Sequence, residues 1–432
     1  MPTTGWWIAS ARGGPRTHTG AVLQRSDETG HAMKRSVHAS RIAWSVGLLV
    51  VAACIWFPCL HLVFRRDIRQ YRTVDGLSPS ARLLAATYLD VWANPDLRER
   101  ELAAMRQLNP EWDFMSRTFM VLALSNMALR DHALQTRAIE IMDAIIADTL
   151  ECERKGGYEH FLLGYGRQRD WVIGPPRSIF VDGEIAMMIA ARRFVEEEPM
   201  YGPLLSGRID AMVHRMRQSP VLCAESYPDE CWLFCNTVAL AAVRMADALD
   251  GTDHGEFLAS WVRTGSARLA EPRTGILISA FGVDGTPAPA GFGPEGSSIW
   301  MAAHMLEVVD PELAADQYRR ARKALGRSFL GFGYSREWPR GHEGTMDIDS
   351  GPVIPVFGAS ASASGLAILA SAAFHDTAYF GELMTSLRCA GFPAERNGML
   401  RFMAGNQVGD AVLLYAMVEG PLWDKVGRRV RQ

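Results

Sequence analysis

The chain has little net charge and lacks the cysteine pattern of a metal-binding module. Its formal net charge is −3 over 432 residues and no run of basic residues dominates it, which argues against nucleic acid as a partner. Its seven cysteines are an odd number, and no Cys-x-x-Cys pair is matched by a second one, which argues against structural zinc. We therefore expect neither a nucleic-acid partner nor a metal site.

The sequence also lacks a series of strands with alternating β-branched residues. From Ser78 onward apolar residues recur at helical spacing, and apolar residues make up 48% of the chain, enough for a large core. Asn109-Pro-Glu and Asp310-Pro-Glu each place a capping side chain before a proline at the first helical position, and the second predicts a helix over 311–329. The best strand candidate is 275–281. We therefore expect an all-α domain.

The predicted helices come in pairs whose joints resemble one another. The joints, among them Leu249-Asp-Gly-Thr-Asp and Val309-Asp-Pro-Glu-Leu, recur at intervals of roughly 53 to 66 residues, as helical hairpins with long loops do. About six hairpins fit into residues 81–425, which predicts an (α/α)6 toroid; an open solenoid is the alternative. In a toroid the loops between pairs gather at one mouth, where functional sites are commonly built. These loops are 152–176, 222–236, 271–294, 331–358 and 390–405.

The longest apolar run, from Ile42 to Phe64, has no Asp, Glu, Lys or Arg and is long enough to cross a bilayer. We expect a transmembrane anchor over residues 41–65, after an unstructured extension over 1–40 and before a linker over 66–80. Met33-Lys-Arg-Ser has the form of a start followed by a basic region, so we expect translation to begin at Met33. Lys and Arg are too evenly divided between the flanks to fix the orientation. We expect the main domain to be periplasmic or otherwise extracytoplasmic.

The segment from Cys223 to Asn236 is the densest in chemically active groups. It holds three thiols and the carboxyl groups of Glu225, Asp229 and Glu230, and it leads directly into an apolar helix. Acids and thiols at a helix start suit proton transfer or nucleophilic chemistry, because the helix N-terminus stabilises negative charge. The alternative is a set of surface acids, a capping Asn236 and small apolar fillers.

The long loops are rich in aromatic residues and acids. Aromatic walls with a few convergent polar groups predict a pocket for an apolar or sugar-like ligand, although any single aromatic residue can equally pack its loop onto the domain. Asp347-x-Asp349 without further oxygen ligands is weak support for a cation site. The aromatic and acidic candidates are Tyr158, His160, Phe161, Tyr165, Asp170 and Trp171 in one loop, and Tyr334, Trp338, His342, Glu343, Asp347 and Asp349 in another.

Several motifs occur in the order found in one known family. They are Pro228-Asp-Glu-Cys-Trp-Leu-Phe-Cys-Asn-Thr-Val-Ala239, Gly251-Thr-Asp, Asp347-Ile-Asp-Ser-Gly, and Leu400-Arg-Phe with Asp410 following. From about Ala81 to Gly420 the chain resembles the linalool dehydratase/isomerase family. The resemblance implies an (α/α)6 fold and hydration, dehydration and allylic isomerisation of a small terpene alcohol without a cofactor. It also implies a site closed by a neighbouring subunit, and hence a homo-oligomer.

The resemblance assigns roles to individual positions unevenly. Cys235 stands at one of the family's two active-site cysteines, and the other falls at Ser226, with Cys223 and Cys231 as displaced candidates. Tyr88-Leu-Asp90 matches the sequence that carries the family's catalytic aspartate. The family's active-site histidine is replaced by Glu184, and its active-site tyrosine by Met115. A glutamate must have its pKa raised by burial to act as an acid in place of histidine.

We expect a membrane-anchored lyase or isomerase that acts on a small-molecule substrate. Glu184 or Asp90 would be the acid, with Cys235, Glu225 and Asp229 as base or as groups that position the substrate oxygen. One alternative is a carbohydrate-processing enzyme that pairs Asp347 or Asp349 with Glu184. Another is a non-catalytic, membrane-tethered binding domain. The predicted substrate-binding residues are Tyr88, Tyr165, Trp171, Cys223, Cys231, Trp338 and Asp349.

Overall fold

The structure, a computed structural model, describes residues 24–167, 169–288, 293–342 and 351–430. It is mostly helical, as predicted, with a few short strands. The chain divides into two compact units, residues 1–60 and residues 61–432.

The first unit contains helix α1 (Gln24–Cys59). Its large apolar side chains from Ile42 to Phe57 are exposed. Within the described residues, one helical segment, His38–Gln70, is long and apolar enough to cross a membrane by length and composition. Helix α1 starts before the predicted anchor, so residues 24–40, expected to be unstructured, are helical.

The second unit begins with α2 (His61–Phe64). Tyr71 and Leu77, which we expected in a linker, are buried in its core. The Ser78 hydroxyl donates to the carbonyl of Tyr71 at 2.7 Å, and its oxygen accepts from the N–H of Ala81. The compact unit therefore starts earlier in the chain than the predicted boundary at residue 81.

The remaining helices occupy most of the second unit. They are α3 (Pro79–Ala93), α4 (Pro95–Leu108), α5 (Pro110–Arg130), α6 (Gln135–Gly156), α7 (Ile179–Val195), α8 (Tyr201–Met216), α9 (Leu233–Asp250), α10 (Gly255–Arg268), α11 (Gly296–Leu306), α12 (Pro311–Ala324), α13 (Ala361–Ala373), α14 (Thr377–Ala390), α15 (Gln407–Val418) and α16 (Pro421–Val430).

Six of these helices form the centre of the unit. Helices α5, α7, α9, α11, α13 and α15 contact one another in this order, and α15 contacts α5. Nearly every residue of α7 is buried, including the charged residues Asp182, Glu184, Arg192 and Arg193. Helices α6, α8, α12 and α14 each pack against one or more of these six; α6, for example, buries Ile141, Ile145 and Thr149 on a single face.

The starts of these inner helices meet at one end of the unit. The N–H of Ile179 at the start of α7 donates to the carbonyl of Glu225, which precedes α9. In the same way Leu233 of α9 donates to Ser279, ahead of α11, and Gly296 of α11 donates to a carbonyl ahead of α13. The first N–H groups of a helix have no acceptor within it. Here the carbonyl groups of neighbouring loops accept hydrogen bonds from several of them.

Helix α16 covers the opposite ends of the inner helices. The N–H of Leu422 donates to Asn126 Oδ1 in α5 at 3.0 Å, and the Trp423 ring stacks on His304 in α11. Lys425 Nζ donates to a carbonyl near the end of α7 at 2.6 Å. The starts of the inner helices therefore form the end of the unit at which loops can build a site.

The strands are short and lie in the loops. β1 (Cys231–Trp232) pairs antiparallel with β2 (Ala280–Phe281), the last residues of the predicted strand 275–281. β3 (Gly326–Phe329), β4 (Phe332–Arg336), β5 (Val353–Ile354) and β6 (Ala359–Ser360) form an antiparallel sheet in the order β3-β4-β6-β5, and β7 (Pro393–Arg396) pairs with β8 (Met399–Phe402).

Helix α12 ends at Ala324, whereas we expected it to continue to residue 329. Arg327 donates to the carbonyls of Lys323 and Ala324 at 3.2 and 2.9 Å, which satisfies the end of the helix. A Cβ at Gly326 would lie 2.7 Å from a backbone carbonyl oxygen, so only glycine fits where the chain turns into β3.

Candidate active site

The loop that precedes α9 is held in place by the buried carboxylate of Glu225. Its oxygens accept from the backbone N–H groups of Val172, Ile173 and Asp229 at 2.9, 2.8 and 2.7 Å. Glu225 was predicted to be catalytic; its carboxylate here joins two loops. Asp229, the other predicted acid of this loop, is exposed in a left-handed backbone conformation with φ 54°.

Asn236 fixes the other end of the same loop. Its Oδ1 accepts from the N–H of Ala224 at 2.8 Å, and its Nδ2 donates to the carbonyls of Ala224 and Trp232 at 3.0 and 2.9 Å. Between these fixed points, backbone hydrogen bonds between Tyr227 and Glu230 close a tight turn. The side chains of residues 226 and 227 are therefore held beside the first turn of α9.

Cys235 lies in that first turn and is 8% exposed. Burial raises the pKa of its thiol well above the usual range, and the Ser226 hydroxyl beside it opposes the shift. The negative charges of Glu111 and Glu184 raise it further. The thiol is therefore neutral at physiological pH, which suits a hydrogen-bonding group better than a thiolate nucleophile.

Glu184 on α7 is a buried carboxyl group with the surroundings expected of a catalytic acid. It is 2% exposed, and its Oε1 has no hydrogen-bond partner among the described residues. The Thr118 hydroxyl faces it from α5 without a well-formed hydrogen bond. Burial raises the pKa of Glu184 to about 7, against the smaller opposing effect of Thr118. Both protonation states are therefore populated near neutral pH.

A second carboxyl group, Glu111, lies in the first turn of α5, where the helix stabilises negative charge. The Tyr227 hydroxyl donates to Glu111 Oε1 and accepts from the N–H of Leu163 at 2.8 Å. Burial, followed by the charge of Glu111, raises the pKa of Tyr227 well above its usual range, so this phenol stays a donor. Tyr165, a predicted substrate-binding residue, stacks on the Tyr227 ring with centroids 4.6 Å apart.

Glu111, Tyr227 and Thr118 were not among the predicted site residues. For Glu111 a signal was present: Asn109-Pro-Glu puts an acid in a first turn, and Asn109 Oδ1 indeed accepts from the N–H of Glu111 at 2.8 Å. We used that motif only to predict a helix start. Tyr227 and Thr118 carry no comparable local signal.

The other two thiols of the segment are packed in the core. Cys223 Sγ accepts from Trp261 Nε1 at 3.4 Å, and burial raises the pKa of Cys223 to about 12. Cys231 lies in β1 opposite Phe281, and burial raises its pKa well above the usual range. Of the three thiols, Cys235 alone is influenced by both Glu111 and Glu184.

The predicted aromatic residues differ in their surroundings. Trp171 is half-buried, meets Tyr158 edge-on at 5.5 Å, and lies 5.9 Å from the guanidinium of Arg215. Trp338 is buried, and its Nε1 has no partner among the described residues. Asp349, with its neighbour Asp347, lies outside the described residues.

Tyr88 and Asp90 lie on α3, which packs against α15 and β8; α7 and α9 are not among its main contacts within the described residues. Asp90 is exposed and does not share the burial of Glu184. Tyr88 is buried, and its hydroxyl donates to the carbonyl of Gln407 at 2.9 Å. The neighbouring Asp410 is a further buried carboxyl group, and burial raises its pKa to about 7. Tyr88 therefore belongs with the start of α15.

Within the described ranges, no group of three or more His, Cys, Asp or Glu side chains is arranged to hold a metal ion. The arrangement around α5, α7 and α9 instead provides a partly protonated carboxyl group, a second carboxyl group at a helix start, a neutral thiol and a phenol donor. A scan against models of known protein families finds none that matches this chain, and a search of the curated proteins finds no match.

Proposed function

We propose that the protein is a cofactor-independent acid–base enzyme that dehydrates, hydrates or isomerises a small, largely apolar alcohol. The observation that carries the proposal is the buried carboxyl group of Glu184, whose pKa is raised to about 7. The negative charges of Glu184 and Glu111 both raise the pKa of the Cys235 thiol. Two carboxyl groups in different environments are a common basis for separate acid and base roles. The resemblance to linalool dehydratase/isomerase points to the same chemistry.

In the dehydration direction, protonated Glu184 donates its proton to the substrate hydroxyl oxygen, the C–O bond breaks, and water leaves. The Glu111 carboxylate takes a proton from the adjacent carbon, and the C–H electron pair forms the C=C bond. Glu184 ends ionised and Glu111 neutral, so one proton must return between them through the released water. Cys235 and Thr118 hydrogen-bond the substrate oxygen and orient it. Hydration is the reverse sequence.

We also propose the architecture and location that this function requires. The cyclic order of contacts among the six inner helices supports an (α/α)6 toroid whose mouth lies at the helix starts. The apolar run from Ile42 to Phe64 supports a transmembrane anchor, and we propose that the main domain lies outside the cytoplasm. An apolar alcohol concentrates in a bilayer, so anchoring raises its local supply. A homo-oligomer, implied by the resemblance, belongs to the same proposal.

The test is turnover of linalool and a panel of other tertiary and allylic alcohols, followed by gas chromatography with mass detection. Glu184→Gln keeps the size of the side chain and removes its acid function, and we expect it to lower turnover about 10²–10⁴-fold. Cys235→Ala should lower turnover through loss of a positioning group. The matched control is Glu395→Gln, an exposed carboxyl group in β7.

Unchanged turnover in both site variants would exclude the assignment. Release of nitrophenol from aryl glycosides, lost in Glu184→Gln, would instead establish the carbohydrate alternative. In that case Glu111 and Glu184 would form the carboxyl pair.

A further inference from the structure

The second unit carries an exposed apolar surface that the proposed reaction does not use. We define the apolar tip as Leu62 and Val63 of α2 together with Phe329 and Leu330 at the end of β3. These side chains are 59, 59, 62 and 38% exposed. Large apolar side chains grouped on a surface mark sites of contact with another molecule or a membrane.

The two parts of the apolar tip are distant in sequence but packed together. Phe329 and Phe332 form the last pair of the β3–β4 hairpin, and the Phe332 ring lies 6.5 Å from His61 and 6.3 Å from Phe64. At Gly331 a Cβ would lie 2.5 Å from the His61 ring, so only glycine permits this approach. The hairpin and α2 therefore present one continuous surface.

The turn at the apolar tip is not built from the residues that such turns favour. Leu330 and Gly331 both have positive φ, 48° and 79°, as in a two-residue type I′ hairpin, where Asn-Gly is preferred. Leucine at the first position is disfavoured by its backbone conformation. Its presence puts an apolar side chain at the most projecting point of the hairpin, which indicates a role in contact.

Basic side chains border the apolar tip. Arg65, Arg66 and Arg69 follow α2 and are exposed, and Arg327 precedes the tip on β3. The acidic side chains on the same elements and the facing helix are Asp67, which accepts from the N–H of Arg69, and Glu382, which accepts from Ser328. Arg65, Arg66 and Arg69 thus outnumber two negative groups that already accept hydrogen bonds, while the guanidinium of Arg327 is held against the end of α12. An apolar centre with a positive border matches the interface of an anionic bilayer.

We propose that the apolar tip inserts into the headgroup–acyl boundary of an anionic lipid bilayer and forms a second membrane contact of the catalytic unit. The chain enters this unit at His61, within the last four residues of the apolar run, so covalent continuity keeps Leu62 and Val63 at the membrane surface. Phe329 and Leu330 add a contact from a part of the sequence almost 270 residues later. The inference rests on the proposed anchor.

The test uses the full chain in vesicles of phosphatidylglycerol and phosphatidylcholine, with photoreactive p-benzoylphenylalanine in place of Phe329. The matched control carries it in place of Phe392, which is 66% exposed beside exposed Met403. We expect lipid adducts at position 329 in at least tenfold excess over position 392. The adducts at 329 should fall several-fold in vesicles of phosphatidylcholine alone.

The outcomes separate the tip from the anchor. If the chain resists carbonate extraction but position 329 gives no more lipid adduct than position 392, the tip proposal is overturned and the anchor stands. A protein adduct at 329 in place of lipid also overturns it, in favour of a protein-binding surface. Equal yields in the two vesicle types overturn the assignment to anionic lipid. Release of the chain by carbonate removes the anchor and the inference together.

Discussion

The second unit has two buried polar clusters at opposite ends of its inner helices, and they differ in how completely their polar atoms are paired. At the end covered by α16, His304 Nδ1 lies 2.6 Å from Glu307 Oε1, and its Nε2 lies 2.7 Å from the Tyr415 hydroxyl. Trp423 stacks on the His304 ring and donates to its carbonyl at 3.2 Å. Every polar atom of the His304 ring is thus engaged.

At the opposite end, the cluster of Glu184, Thr118 and Cys235 is incompletely paired. Glu184 Oε1 and Thr118 Oγ1 lack partners among the described residues. Buried polar atoms normally have hydrogen-bond partners, and an unpaired carboxyl group is costly. The paired cluster therefore fits a structural role, and the unpaired one fits a site that completes its hydrogen bonds with a substrate.

The largest expected effect on turnover comes from the proposed base. Glu111→Gln should lower kcat about 10²–10⁴-fold, because the amide cannot accept a proton from carbon. Its Oε1 can still accept from Tyr227, so the melting temperature should change little. Kinetics on the substrate identified by the alcohol panel, alongside thermal melting, check this. A normal kcat in a well-folded variant would remove Glu111 from the reaction.

The paired cluster should respond in the opposite way. His304→Ala leaves the half-buried Glu307 and the buried Tyr415 without their partner and removes the stack on Trp423, so the free energy of unfolding should fall by about 3–5 kcal/mol. The residual folded protein should keep its kcat, since His304 lies at the far end of the inner helices. Urea denaturation and kinetics at low temperature measure the two effects. A large loss of kcat with little loss of stability would place the catalytic site at the end covered by α16, and the assignment to Glu184 would be wrong.

The pH dependence of stability sharpens the comparison. The pKa of Glu184 is raised from 4.5 to about 7, so between these values the folded state holds a proton that the unfolded state has released. The contribution of Glu184 to stability is therefore full below pH 4.5 and is lost as pH rises to 7. The difference is 2.5 units at 1.36 kcal/mol each, or about 3 kcal/mol.

Glu184→Gln removes this titration, so the stability difference between wild type and variant should favour wild type at pH 5 relative to pH 8 by about 2–3 kcal/mol. Subtracting the variant cancels the titration of Asp410, whose pKa is also raised to about 7. Urea denaturation at both pH values gives the difference. A value independent of pH would show that Glu184 is ionised throughout. In kinetics, activity should fall as pH rises through 7, because the acid must be protonated.

Short-range features of the fold could be predicted from the sequence. Asn109 and Asp310 cap α5 and α12, as predicted, because a cap depends on residues within one turn. The end of α12 could not be predicted, because it depends on the space around Gly326 and on the bonds of Arg327 to the helix-end carbonyls. The apolar periodicity sufficed for a mostly helical fold.

The site was only partly predictable for the same reason. Glu184 and Cys235 were named through a resemblance to a family; they lie on α7 and α9, which contact each other, and the charge of Glu184 raises the pKa of the Cys235 thiol. The contact between Tyr227 and Glu111 joins positions 116 apart, and no local pattern encodes such a separation. Glu225 was chosen for its charge. Two of its three backbone donors come from the loop 152–176, whose packing the sequence does not reveal.

A smaller effect is expected from substitution of Glu225. It tests whether this residue supports the loop or takes part in catalysis. Glu225→Ala leaves three N–H groups without an acceptor, of which that of Ile173 is buried, and should lower the free energy of unfolding by about 2–3 kcal/mol. Glu225→Gln should recover part of that loss, since its oxygen still accepts. The pH profile of kcat should keep its midpoint in both variants. A shifted midpoint would give Glu225 a direct part in proton transfer.

The smallest effect is expected at Asp90, the residue that the resemblance assigns to catalysis. Its side chain is exposed on α3, and surface substitutions away from special features usually change stability by less than about 0.5 kcal/mol. Asp90→Asn should therefore leave both kcat and the free energy of unfolding near wild type, while Glu184→Gln loses activity. A hundredfold loss of kcat in Asp90→Asn would mean that α3 moves during turnover and carries Asp90 to the substrate. The reaction would then be assembled in a different arrangement from the one around Glu184, because an exposed carboxylate can act as a base only once its surroundings exclude water.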